Sequence, residues 1–280
     1  CIPQVHGAVR DALEQAKRVL EIELNAVTDN PLVFPDREAE HVEEQVISAG
    51  HFHGMPLALA MSYVKAAIPT LASISERRLN KLVDPATNDG LPAFLIGNED
   101  GTESGHMIVQ YTAAAIVNDL ASRAHPASVF SVPTSANAED HVSMGANEAR
   151  HVLAMVQDLG KVLALELYTA AQALDLRRDM INAARALSVR TDAEGLATKV
   201  SGGPSPGAEG RDVFLAEVDA LRAALAASEA FHPGHAVAAA HAAIRAKIPF
   251  LDRDRALDGE VATAVRLVES GEILAAVRNR

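Results

Sequence analysis

Apolar residues along this chain recur at steps of three and four rather than two, the period of a helix with one buried face. Val9, Leu13, Ala16, Leu20, Leu24 and Val27 mark the first such face and predict a helix from about residue 9 to "TDNP", where Asn30 and Pro31 break it. "LVFPDREAEHVEEQVISAGHFHG" then loses the period and reads as a polar connection with a short strand-like piece at 45–48. The period resumes over 55–82. Pro69 falls inside this stretch and is expected to kink the helix rather than end it, because the apolar steps continue into "ISERRLNKL". "DPATNDGLPAF" has the Pro, Asn, Asp and Gly content of a loop. A third helix is predicted over 104–122 and a fourth, the longest, over 139–174. Their alanine-rich faces allow close approach, so the predicted fold is all-α, a bundle of long helices. No alternating run of useful length supports a sheet.

After "LDLRR" the pattern changes character. The expected organisation is a helical bundle core over 1–178, an insertion over 179–232 and short C-terminal helices over 233–280. The insertion, with its "SGGPSPGAEG" stretch, is expected to be partly flexible, with one helix near 211–227.

Composition sharpens this picture at a few points. A chain of 280 residues can bury about three quarters of its unfolded surface, enough for a substantial core. Alanine, the best helix former, dominates, Trp is absent and aromatics make up only 4%. A net charge of −12 with no basic stripe argues against nucleic acid and against anionic membrane surfaces. No uninterrupted apolar run reaches membrane-spanning length. The single cysteine, Cys1, excludes an internal disulfide framework and fits a reducing cytoplasm. The chain opens on Cys1 in a stretch already patterned as helix, and is expected to be a piece of a longer protein.

Candidate chemistry is sparse. Cys-x-x-Cys, His-Glu-x-x-His, the phosphate-binding loop and the Gly-x-Ser-x-Gly elbow are all absent. His51 and His53 in "HFHG" could give two metal ligands, but no third is evident and no metal site is expected. Arg77 and Arg78 beside Glu76 read as a salt-bridged face, solvated or between subunits. Gln110 and Tyr111 on an apolar helix are either a polar pair satisfied inside a helix interface or the lining of a site. "SANAEDHVSMG" sets Glu139, Asp140 and His141 together where the fourth helix is predicted to begin. Acids there are stabilised by the helix's exposed amides, and the same position could hold a carboxylate at a cleft to handle a substrate's proton.

Several segments, taken in order, resemble one family. "PQVHGAVRDAL", "ELNAVTDNPLVF", "GHFHGMPLALAM", "SISERRLNKLVDP", "LPAFL", "SGHMIVQYTAAA" and "HPASVFSVPTSANAEDHVSMG" follow the order and spacing of the histidine ammonia-lyases, within the aromatic amino acid ammonia-lyases and aminomutases. The likeness spans residues 1 to about 178 and resumes in "AAAHAAIRAKIPFLDRDR". It implies the C-terminal part of a mostly helical homotetramer that removes ammonia from a small-molecule amino acid, L-histidine giving urocanate. It further implies a methylidene-imidazolone (MIO) electrophile formed from an Ala-Ser-Gly segment, which this chain lacks and which would lie upstream of Cys1. Alone, the chain is expected to be inactive.

By the same resemblance, Phe52 packs against the electrophile and Glu139 is the active-site carboxylate, while Asp140 and His141 hold the helix start. A carboxylate at 139, where phenylalanine-specific relatives typically carry glutamine, implies an imidazole substrate. The family usually reads "GNFHG", "SANQEDH" and "PASVDS", so His51, a candidate substrate contact, Ala138 and Phe130 are departures. They keep open a tyrosine or phenylalanine ammonia-lyase or aminomutase, and a non-catalytic helical scaffold.

Overall fold

The computed structural model describes residues 1–96, 102–190 and 231–278, with isolated helical positions between 216 and 224. Its long helices are α1 (Ile2–Leu24), α2 (Met55–Val83), α3 (Met107–Arg123) and α4 (Gly145–Arg190). Three shorter ones close the described chain: α5 (His235–Arg245), α6 (Asp258–Glu269) and α7 (Glu272–Arg278). The architecture is all-α. Its described sheet is one two-residue pair, β1 (Leu32–Val33) against β2 (Val46–Ile47), antiparallel with Leu32 opposite Ile47. β2 falls inside the predicted 45–48 piece, and β1 is too short to leave an alternation in the sequence.

Helix ends and faces depart from expectation in instructive ways. α1 starts at Ile2, because Pro3 sits in the first turn, where its fixed φ suits a helix and its missing N–H has no role. Its buried residues are Val9 and Ala16 of the expected face, joined by Ala12, whereas Leu13, Leu24 and Val27 of that face are exposed. Small residues won this face because α1 lies close against α2, where Val9 and Ala12 meet Ala67 and Leu71. Pro69 sits inside α2 as expected. α4 begins six residues later than predicted and continues past 178 to Arg190, and the expectations for 191–215 lie outside the described residues. α2 is long and apolar enough to cross a membrane by length and composition, although Ser62, Lys65 and Thr70 interrupt its apolar run. Its Ala58, Val64, Lys65, Ile68 and Ala72 are nonetheless buried in protein, the pattern of a core helix.

The chain forms two compact units, residues 1–80 with 108–166, and residues 81–107 with 167–280. In the first, four helices meet: Ala16 of α1, Ala60, Val64, Ile68 and Ala72 of α2, Leu120 of α3 and Met155 of α4 share one core. Alanines on α1 and α2 let the backbones approach, and the longer chains from α3 and α4 fill what remains.

In the second unit Gln172 of α4 is a buried hub. Its Nε2 donates to the carbonyls of Leu95 and Leu251, and its Oε1 accepts from Leu251 N–H and Arg245. Gln172→Leu leaves these backbone groups dry and unpaired, at about 1–3 kcal/mol for each orphaned group. The expected result, read by urea unfolding, is a lower midpoint with exchange protection lost first at Leu251.

His106 in the same unit is fully buried, with Nδ1 3.1 Å from Thr169 Oγ1 and its ring 4.6 Å from that of Tyr168. Burial, reinforced by the charges of Arg245 and Arg255, pushes its pKa down to about 3 from the usual 6.5. The unfolded chain therefore binds the proton first, and stability is lost as pH falls from 6.5 toward 3. His106→Phe keeps a ring against Tyr168 and removes the titration. The melting temperature of that variant is expected to be flatter than the parent's between about pH 6.5 and pH 4, as thermal scans would show.

Candidate active site

All the site residues expected from sequence fall in the first unit, on two loops. One precedes α2 and carries His51, Phe52, His53 and Gly54. The other joins α3 to α4 and carries Phe130, Ala138, Glu139, Asp140 and His141.

His53 ties the two loops together. Met55 N–H donates to its Nδ1 (3.2 Å), which therefore holds a lone pair, so Nε2 carries the hydrogen and donates to His141 O at 2.8 Å. The His53 and His141 rings stack at 5.8 Å. Next to this pair Gly54 meets Ser143: a Cβ on Gly54 would lie 3.0 Å from Ser143 Oγ. With both ring nitrogens committed, His53 has a structural task, and no cluster of three metal-ligating side chains exists among the described residues.

The Glu139 loop has an uncommon backbone. Ser135, Ala136 and Asn137 all take left-handed φ values of 51°, 55° and 71°. Successive non-glycine residues in that region are strained, and such strain collects where a side chain must be aimed. The turn closes through paired bonds between Thr134 and Glu139, Thr134 N to Glu139 O at 3.0 Å and Glu139 N to Thr134 O at 3.3 Å. Glu139 is thus not in a helix's first turn, and Asp140 and His141 do not hold a helix start. α4 begins only at Gly145, whose N–H meets Ser143 Oγ, and its first-turn acid is Glu148.

Glu139 is exposed, and Phe52 is 49% exposed. His51 lines a cavity of about 650 Å³ with Glu23, Thr28 and the end of α1. Phe130 is exposed, its ring 5.6 Å from that of His125. The Phe52 ring, with half its surface uncovered, offers an apolar face on the loop that precedes α2.

Other candidates resolve as structural. Arg77 forks onto Glu76, which is buried and also receives Gln110 Nε2 at 2.7 Å. Arg78 forks onto Glu166, which also accepts from the buried Ser75. The arginine pair is therefore a set of ion pairs within one unit, Gln110 is a half-buried amide bonded to Glu76 and Tyr111 is exposed.

Sequence reasoning missed one cluster. Lys65 and Glu148 are both fully buried and pair at 2.8 Å. Lys65 Nζ, which can only donate, also meets His151 Nδ1 at 3.1 Å. Burial drives the Glu148 carboxyl upward, but the Lys65 ammonium and the N–H groups of Ser128 and Ala127 outweigh it and hold it below its usual 4.5. The available signal was a lone lysine within the apolar run "AMSYVKAAI".

Comparison with known proteins shows the family. A family profile described as aromatic amino acid lyase matches residues 1–193. The histidine ammonia-lyase of Treponema denticola is 55% identical over 177 residues, which are 63% of this chain and 34% of that protein. That of Symbiobacterium thermophilum is 42% identical over 277 residues, 99% of this chain and 43% of that protein. The crystal structure of histidine ammonia-lyase from Trypanosoma cruzi aligns with a TM-score of 0.75 at 30% identity, covering 100% of this chain and 44% of that one. The chain thus spans less than half the length of these relatives.

Proposed function

Because the chain belongs to the aromatic amino acid lyase family, we propose that it supplies part of an active site that removes ammonia from L-histidine to give urocanate. The observation that carries this reading is the convergence of the Phe52 and Glu139 loops through the His53–His141 contact, in a chain whose relatives are histidine ammonia-lyases.

Elimination breaks the bond from the α-carbon to the amino nitrogen and removes a proton from the β-carbon. A methylidene-imidazolone electrophile supplies the electron sink that makes the amino group a competent leaving group. The given residues contain no Ala-Ser-Gly from which to form one, so in this reading the group would be supplied by residues other than these. Glu139 accepts the imidazole N–H or the β-proton, a role that needs a carboxylate in its ionised form at an exposed position. Phe52 gives the planar centre an aromatic wall, and His51 stands at the adjoining cavity as a contact for substrate.

The first unit leaves large apolar side chains exposed on α2, α3 and α4, among them Leu59, Tyr63, Ile108, Tyr111, Leu153 and Val156. Apolar area of this extent supports burial against further subunits, in keeping with a homotetramer.

The test uses the complete protein of which this chain is a part. With L-histidine, absorbance of urocanate is expected to rise, and size-exclusion chromatography with light scattering is expected to give four copies. Cinnamate or coumarate from phenylalanine or tyrosine, or a β-amino acid, would replace histidine by another substrate. No product from any of the three would leave a non-catalytic helical scaffold.

A further inference from the structure

The loop that carries Glu139 has few apolar anchors: Val129, Phe130 and Val132 are all exposed. What fixes it is polar and can be traced bond by bond. Ser128, at its start, is buried; its N–H donates to Glu148 Oε1 at 2.9 Å and its hydroxyl lies 2.9 Å from that of Ser62 on α2. Ser131 Oγ accepts from Val142 N–H at 2.7 Å, so the two limbs of the loop are tied across its base. His141 is held by His53. Glu139 lies between the Ser131 and Val142 tie points, in the turn closed by Thr134.

Two of these ties, Ser131 with Val142 and Thr134 with Glu139, are internal to the loop and fix only its shape. Two reach the rest of the unit: Ser128 with its partners Glu148 and Ser62, and His141 with His53. Glu148 is itself fixed because its other oxygen faces the Lys65 ammonium at 2.8 Å. Lys65 sits in mid-α2, clamped between Glu148 and His151.

We infer that the buried Lys65–Glu148 pair positions the Glu139 loop, with Glu148 suspending the loop from α4 through Ser128 N–H and Lys65 fixing the carboxylate that does so. Lys65 and Glu148 are positioning residues and touch no substrate. This inference rests on the proposed role of Glu139 only for its effect on turnover. Its effect on the loop stands by itself.

Two double variants separate the pair's charge from its acceptor. Both remove the buried charges together, which cores commonly tolerate. Lys65→Met with Glu148→Gln keeps an oxygen for Ser128 N–H, whereas Lys65→Met with Glu148→Leu removes it. In the 280-residue chain, hydrogen exchange is read at the Ser128, Thr134 and Val142 amides. Exchange is expected to accelerate about tenfold or more in the Leu form and to stay within about threefold of the parent in the Gln form. In the complete enzyme, kcat with L-histidine is expected to fall about 100-fold in the Leu form, the scale of a 1 Å misplacement, and to be largely restored in the Gln form.

Equal exchange in the two forms overturns the inference, as does a parent whose Ser128 amide exchanges like an open loop; the latter needs no variant to fold. A complete protein inactive on histidine would overturn the functional reading while the exchange contrast still decides the positioning claim. Unchanged kcat in an active enzyme whose Leu form has a loosened loop would overturn the link between the two.

Discussion

Glu139→Gln in the complete protein is expected to lower kcat for L-histidine by about 100- to 10,000-fold, the range for removing a positioned general base. Glutamine matches glutamate in size and still accepts a hydrogen bond, but it cannot take a proton at neutral pH. The split between constants therefore reports the role. If Glu139 only holds the imidazole N–H, the carboxamide oxygen retains most of that bond, and the loss is about tenfold and falls mainly in KM. If Glu139 takes the β-proton, the loss is in kcat. Stability should not move beyond about 0.5 kcal/mol, because the side chain is exposed and its backbone, which closes the turn with Thr134, is unchanged. Urocanate kinetics with a parallel thermal melt test both statements. A variant that loses activity through unfolding would contradict the placement of Glu139 on an exposed turn.

Lys65→Met alone carries the largest expected cost in stability, about 3–5 kcal/mol, the scale for breaking a buried ion pair from one side. Met approximates the lysine stem, so little packing is lost. What remains is a carboxylate with no exposure and no cation, beside a His151 that has lost its donor. The pH dependence identifies the cause. In the parent, Glu148 is held below its usual 4.5, so its contribution is present above that value and is lost as pH falls through the folded pKa. In the variant burial dominates, Glu148 prefers its protonated form, and acid relieves the strain. The gap between parent and variant, widest near pH 7, is expected to narrow as pH falls toward 4.5, where the variant gains, and further below it, where the parent loses, when urea midpoints are compared. A gap independent of pH would mean that lost packing, not the orphaned carboxylate, carries the cost.

The helical architecture was already written in the sequence. A helix is made of bonds four residues apart, so its period is written locally: the 55–82 prediction lies within one residue of Met55–Val83, proline included. Phe52, Glu139 and His51 stood out as one site only through the family resemblance of the segments that carry them, and the structure sets all three on loops of the first unit. The inward face of α1 was legible at Val9 and Ala16 but not at Ala12, because that depended on the small residues α2 brings to it.

The tertiary structure alone decided where Glu139 stands. Local rules place an acid in a first helical turn. Three left-handed residues, a closure to Thr134 and a tether to His53 make its segment a strained loop instead and delay α4 to Gly145. The partners that hold this loop, His53 with His141 and Lys65 with Glu148, are more than eighty residues apart in the chain. No local pattern encodes such pairs, because they meet only after the helices have packed.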